Sequence, residues 1–166
     1  AFELDISFQV VQETLRDFSG IQRRFQIKGE KKGILIVDDY GHHPVEIMAT
    51  LKAARTGWGK RIVAVFQPHR YTRTQALFKD FLTAFYDADV LILTDIYAAG
   101  EDRIEGVEAE ALFEGLREYG HKDVTYLGDK KEIVEHLLRI IVPGDLVITL
   151  GAGDIWQVSE ELVKRL

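Results

Sequence analysis

The 166-residue chain has no cysteine and only three prolines and one methionine. Without thiols there are no disulfides, thiolate metal sites or sulfur nucleophiles, which fits a reducing compartment. An excess of positive charge is also missing. The chain carries 27 acidic against 21 basic residues, for a formal net charge of −6. No basic face supplies counterion release, so general nucleic-acid binding is not expected. No apolar run approaches the roughly 20 residues needed to span a bilayer. No signal peptide opens the chain, and there are no internal repeats or low-complexity segments. The expectation is a cytoplasmic protein with neither nucleic acid nor membrane among its partners. His42, His43 and His69 lack the ligand spacing of a zinc site, so no metal site is expected. What remains is an ordinary globular composition, 46% hydrophobic and 29% charged. The length suits one good core and is short for two.

Short apolar runs alternate with helical stretches. The runs Ile34–Asp38, Arg61–Phe66, Val90–Thr94, Val124–Leu127 and Leu146–Leu150 are rich in Val, Ile and Leu, as strands buried on both faces should be. Helices are expected over Pro44–Arg55, Thr74–Asp87, Val107–Tyr119, Lys130–Ile141 and Ile155–Lys164. In the first, Val45, Met48 and Leu51 mark an apolar stripe, and Pro44 takes the first helical position, where it costs no hydrogen bond. This alternation predicts an α/β fold with a mostly parallel sheet and helices on both faces. The first thirty residues behave differently. Phe8–Phe18 reads as an amphipathic helix stopped by Ser19-Gly20, and Arg24–Lys28 is expected to pair with Ile34–Asp38 as an antiparallel hairpin across Gly29–Gly33. With Ala1 in place of an initiating Met, the chain reads as a piece of something longer.

The polar clusters all follow strands. They are Asp39, Tyr40, His42 and His43 after the first run, and His69, Arg70, Tyr71 and Arg73 after the second. Thr94–Glu101 follows the third and Gly151-Ala152-Gly153-Asp154 the fifth. In a parallel sheet these share the carboxyl edge, where ligands bind. The opposite loops, Thr56–Lys60 and Val142–Asp145, are ordinary turns. Asp39 can accept from ribose hydroxyls, join a metal shell, or simply cap the helix at Pro44. His43 lies just outside a helix N-terminus that favours phosphate and disfavours imidazolium. Arg70 and Arg73, three apart, can face one small volume and grip a carboxylate or phosphate bidentately. Arg23-Arg24 either reaches an anionic ligand across a hinge or belongs to a solvated linker. Gly57-Trp58-Gly59-Lys60-Arg61 fails as a P-loop, and Gly151–Trp156 fails as a dinucleotide fingerprint because Trp156 takes the third Gly position. A close-packed glycine turn, with Asp154 capping the following helix, is the better reading.

The stretches Phe18–Phe25, Asp38–Pro44, Phe66–Thr74, Asp95–Glu101 and Gly151–Ile155 resemble, in order and spacing, the carboxy-terminal domain of the Mur ligases. The Gln67–Thr74 string is most similar to the branch that adds alanine. The resemblance implies a Rossmann-like domain over residues 21–166 and, over 1–20, a tail helix and hinge belonging to an absent central ATPase domain. It implies an ATP-dependent amide ligase of peptidoglycan synthesis acting through an acyl phosphate, with UDP-N-acetylmuramate, L-alanine and ATP as substrates and Mg2+ held outside this chain. By position it assigns Arg24, Asp39 and His43 to ATP. Tyr40, His69, Arg70 and Arg73 go to the alanine pocket, the last three as the catalytic set. The chain alone is expected to be inactive. The alternatives are the tripeptide-adding branch of the family and a non-catalytic nucleotide-binding module.

Overall fold

The computed structural model describes residues 6–17 and 21–166. The chain runs α1 (Phe8–Asp17), β1 (Gln26–Lys31), β2 (Ile34–Asp39), α2 (Pro44–Trp58), β3 (Ile62–Phe66), α3 (Tyr71–Ala76), α4 (Phe78–Phe81) and β4 (Val90–Leu93). It continues through α5 (Ala109–Glu118), β5 (Val124–Tyr126), α6 (Lys130–Ile140), β6 (Leu146–Leu150) and α7 (Trp156–Arg165). The strands form a six-stranded sheet in the order β1-β2-β6-β3-β4-β5. Only β1 runs antiparallel; β2, β6, β3, β4 and β5 are mutually parallel. The carboxyl ends of all five parallel strands therefore share one edge, as the polar clusters require.

Side chains alternate across a strand, and here both faces are apolar. Leu35, Val37, Ala64, Phe66, Leu91, Leu93 and Ile148 pack beneath α2, α4 and α5 through Leu51, Phe81 and Leu112, joined by Phe85 from the turn after α4. Ile36, Val63, Val65, Ile92 and Val147 pack on the other face against Ile133 and Leu137 of α6 and Val158 and Leu162 of α7. The continuous apolar runs in the sequence are the consequence of this double burial.

Three local expectations are corrected. The hairpin turn is tighter than Gly29–Gly33: strand β1 continues to Lys31, and Lys32 (φ 51°) and Gly33 (φ 77°) make a two-residue turn with both φ positive. Gly29 instead takes part in a register shift next to Ile27. On α2 the core face is Pro44, Ile47, Leu51 and Ala54, while Val45 and Met48 are exposed. Apolar residues occur on both sides of that helix, so spacing alone did not choose its core face. The helix expected over Thr74–Asp87 starts at Tyr71 and breaks at Leu77. Thr74, Phe81, Ala84 and Phe85 are all buried, the last three in the same core. Helix α1 forms where the sequence predicts a helix, with Phe8 and Leu15 exposed and Val11 half-buried. Its expected last residue, Phe18, and the Ser19-Gly20 stop lie outside the described residues.

Candidate functional site

Among the buried polar side chains, Asp38, Asp39, Gln67, Thr94 and Thr149 sit at or just past the carboxyl ends of strands, while Thr74, Asp145 and Ser159 lie elsewhere. Asp38 is fully buried at the end of β2. Its carboxylate accepts from Thr149 Oγ1 of β6 at 2.7 Å and from Arg23 Nε at 2.8 Å. The same guanidinium donates to the carbonyls of Gly151 (2.5 Å) and Gly153 (3.1 Å). Arg23 is thus neither a solvated linker residue nor a free ligand for an anion. It fastens the approach segment to β2 and to the glycine turn after β6. Its own φ of 58° is the left-handed conformation that this placement imposes.

Arg24, one residue on, is half-exposed. Its guanidinium carbon is 5.7 Å from the Tyr40 ring centroid and a nitrogen is 3.7 Å from Glu46, leaving donors open to a ligand. Asp39 is 4% exposed, and its two oxygens accept from the backbone N–H groups of Phe25 (2.6 Å) and Gly41 (2.7 Å). Asp39 does not cap α2; His43 does. His43 Nδ1 accepts from Val45 N at 3.4 Å, and the Glu46 carboxylate accepts from the N–H groups of His42 (3.1 Å) and His43 (3.2 Å). Burial raises the pKa of Glu46, but those two N–H donors and the neighbouring His42 and Arg24 outweigh it and hold the carboxyl below its usual range.

Four rings cross the edge from one loop to the next. Tyr40 meets His42 edge-on at 5.3 Å, His42 meets His69 at 5.4 Å, and His69 stacks on Tyr97 at 5.8 Å and 12°. The loops after β3 and β4 are locked together beneath this row. Tyr97 N donates to Pro68 O at 2.8 Å and Arg70 N donates to Tyr97 O at 2.9 Å. Glu101 accepts from Thr72 Oγ1 (2.6 Å) and Thr72 N (3.1 Å), capping α3 from outside, and those donors hold its carboxyl below the usual range. Arg70 has φ 71° and ψ 139°, a conformation that costs a non-glycine residue about 1–3 kcal/mol. It is sustained by the Tyr97 contact and by Thr74, whose N–H (3.1 Å) and hydroxyl (2.8 Å) both donate to Arg70 O. The Arg70 side chain stays exposed, while Arg73 turns back to His69, with Nη1 3.1 Å from Nδ1.

The turn after β6 passes under the rings. A Cβ on Gly153 would collide with Gln67 Oε1 and would lie 2.6 Å from Tyr97 Cγ, so only glycine fits. Asp154 does not cap α7: it accepts from Gln67 Nε2 (2.9 Å) and pairs with Lys130 (2.6 Å). A cavity of about 330 Å³ opens here between Tyr97, Thr94, Lys130 and Asp154. Sequence reasoning assigned no role to Tyr97 or Glu101. Both stand in the Asp95–Glu101 stretch already singled out, but nothing in their spacing announces a bridge to another loop. Among the described residues no group of three His, Cys, Asp or Glu side chains could hold a metal ion, and no helix is long and apolar enough to cross a membrane.

The chain is a Rossmann-like α/β domain whose carboxyl edge gathers arginine, histidine and tyrosine side chains. The chain belongs to the Mur ligase family: its pattern for the domain described as "Mur ligase, glutamate ligase domain" matches residues 23–153. The chain is 58% identical over 166 residues to a UDP-N-acetylmuramate–L-alanine ligase of Geotalea uraniireducens, covering all of this chain and 36% of that protein. A ligase of the same name from Pelobacter propionicus is 61% identical over 167 residues, again covering all of this chain and 36% of the relative. The chain thus spans about a third of the length of these relatives. Among solved structures, a UDP-N-acetylmuramate–alanine ligase from Thermotoga maritima superposes with a TM-score of 0.79 at 27% identity, over 99% of this chain and 34% of that one. A murein peptide ligase from Psychrobacter arcticus shares the fold, with a TM-score of 0.72 at 20% identity, over 98% of this chain and 34% of that one.

Removing one partner of a buried ion pair leaves an uncompensated charge. Arg23→Ala is therefore expected to lower unfolding free energy by about 3–5 kcal/mol, read from urea denaturation; a loss near zero would mean that the Asp38 contact contributes nothing. Arg70→Gly relieves the strained backbone at some cost in unfolded-chain entropy, for an expected net gain of about 1 kcal/mol in the same assay. A lower midpoint for Arg70→Gly would show that the arginine conformation is not strained.

Proposed function

We propose that this chain is the carboxy-terminal domain of a UDP-N-acetylmuramate–L-alanine ligase, and that it supplies the L-alanine pocket and part of the ATP site. Identity of 58% across the whole chain carries this reading, and the anion-seeking edge gives it a chemical rationale. In the proposed reaction the muramoyl carboxylate takes the γ-phosphoryl group of ATP. The amine of L-alanine then attacks the acyl carbon, and the tetrahedral intermediate expels phosphate as the amide forms. Mg2+ would neutralise phosphate charge during the first transfer, and we place its ligands in the portion of the ligase outside this chain. Positioning and electrostatic stabilisation carry most of such a reaction.

Within this scheme Arg70 and Arg73 receive the L-alanine carboxylate, and Tyr40 and His69 shape the pocket between them. Arg24 and His43 face the nucleotide from the N-terminal end of α2. Asp39 serves the same ligand indirectly, because its carboxylate clamps Phe25 and so sets where Arg24 projects. We assign residues 21–166 to the domain proper. Residues 1–20 become the tail helix and hinge of the preceding ATPase domain, which would cover the exposed Phe8 and Leu15. The domain then closes on its partner as a rigid body, in the cytoplasm, and is inactive alone because the phosphate-binding machinery lies elsewhere. We infer a small amino acid rather than a tripeptide as the amine substrate from the whole-chain similarity to L-alanine ligases.

Arg73→Ala, placed in a ligase of the relatives' full length, tests the pocket. Loss of a charge-assisted hydrogen bond corresponds to about 1.5–3 kcal/mol. An increase of about tenfold to a hundredfold in KM for L-alanine is therefore expected, with KM for ATP nearly unchanged. Equal effects on both substrates, or none on L-alanine, would remove the pocket from this loop.

A further inference from the structure

His69 has a contact that fixes its chemistry. Arg73 Nη1 lies 3.1 Å from His69 Nδ1 and 3.4 Å from His69 O. A guanidinium has donors and no acceptor, and does not deprotonate in proteins. The Nδ1 atom must therefore be the acceptor, which leaves the ring neutral with its proton on Nε2. His42 differs: its Nδ1 lies 3.0 Å from the Tyr40 carbonyl, which only accepts, so that nitrogen carries a proton. The two rings lie 5.4 Å apart and hold opposite tautomers or charge states, imposed by their partners.

We infer that His69 acts in this site as a fixed hydrogen-bond donor through Nε2–H, seating an anionic oxygen, and does not take the proton of the incoming amine. The tautomer stands on geometry alone; naming the anion as the amino-acid carboxylate rests on the proposed function. With Arg70 and Arg73 the ring makes a wall of donors only. Such a wall holds the carboxylate end of an amino acid and leaves its amine pointing away, towards the acyl group. The ammonium must then lose its proton to a group outside this wall.

The surroundings agree. The groups facing His69 are Arg70 and Arg73 from the start of α3, His42 from the loop after β2, and Tyr97 and Glu101 from the loop after β4. Burial first, then His42, Arg73 and Arg70, push the imidazole down to about 4, with Glu101 opposing. Since the unperturbed ring charges near 6.5, the unfolded chain binds the proton first. Neutral His69 therefore contributes its stability fully above that value, and the contribution is lost as pH falls towards 4.

Long-range ¹H–¹⁵N spectra of the histidine-labelled chain read the tautomer directly. The expected result is an unprotonated Nδ1 and a protonated Nε2 for His69, unchanged as pH passes through about 6.5. Arg73→Ala should release the ring to titrate nearer that value. A proton on Nδ1, or ordinary titration with Arg73 in place, would overturn the proposal whatever reaction the protein performs. In a full-length ligase, His69→Gln keeps a donor and should leave the pH profile in place. His69→Phe keeps the stacking surface without a donor and should raise the L-alanine KM about tenfold to a hundredfold. Loss of the acidic limb of the profile in His69→Gln would make His69 a proton acceptor and end the donor assignment. A ligase that ignores L-alanine altogether would instead remove the proposed function and leave the tautomer standing.

Discussion

A carboxylate buried at the end of a parallel strand is the constraint around which this edge is organised. Asp38 has no access to water, and an unpaired charge there would be costly enough to abolish the arrangement. Arg23 neutralises it and, with its remaining donors, occupies the carbonyls of Gly151 and Gly153. One side chain thereby fixes the approach segment, strand β2 and the turn after β6 relative to one another. Tyr40 follows from it, since its N–H donates to Arg23 O at 2.6 Å and its ring lies 5.1 Å from the Arg23 guanidinium carbon.

From that fixed base the site is built outward by contacts between loops. The glycine turn leaves room for Tyr97, Tyr97 carries His69, and His69 takes Arg73. Two more contacts, Arg70 N to Tyr97 O and Thr72 to Glu101, hold the strained backbone that sends the Arg70 side chain into solvent. Strain of this kind persists where the surroundings over-determine it, and such places are commonly functional. Under the proposed function, a preorganised row of donors would need little rearrangement to receive an anion, which is where electrostatic sites gain most.

The sheet and the edge that gathers the polar loops were legible because strands buried on both faces leave continuous Val, Ile and Leu runs. A parallel sheet also sends every following loop to one side. Other features lay beyond local pattern. Lys32 occupies a left-handed position that glycine usually marks, so the hairpin turn was placed too early. Helix α2 carries Val45 and Met48 outside and Ile47 and Leu51 inside, and spacing alone could not decide between them. Arg23 finds Asp38 fifteen residues away and Gly153 130 residues away, and Asp154 is drawn from its helix by Lys130 and Gln67. Those pairings depend on strand order, with β6 inserted between β2 and β3. Candidate residues could be read one by one; the contacts that orient them could not.

The claim that these loops choose a small amino acid is best met by substrate selection. ATP-dependent phosphate release would be measured for a full-length ligase carrying this chain, with UDP-N-acetylmuramate and either L-alanine, glycine, L-serine or the L-Ala-γ-D-Glu-diaminopimelate tripeptide. The account predicts turnover that favours L-alanine. Turnover with the tripeptide alone would contradict it and move the chain to the tripeptide-adding branch of the family.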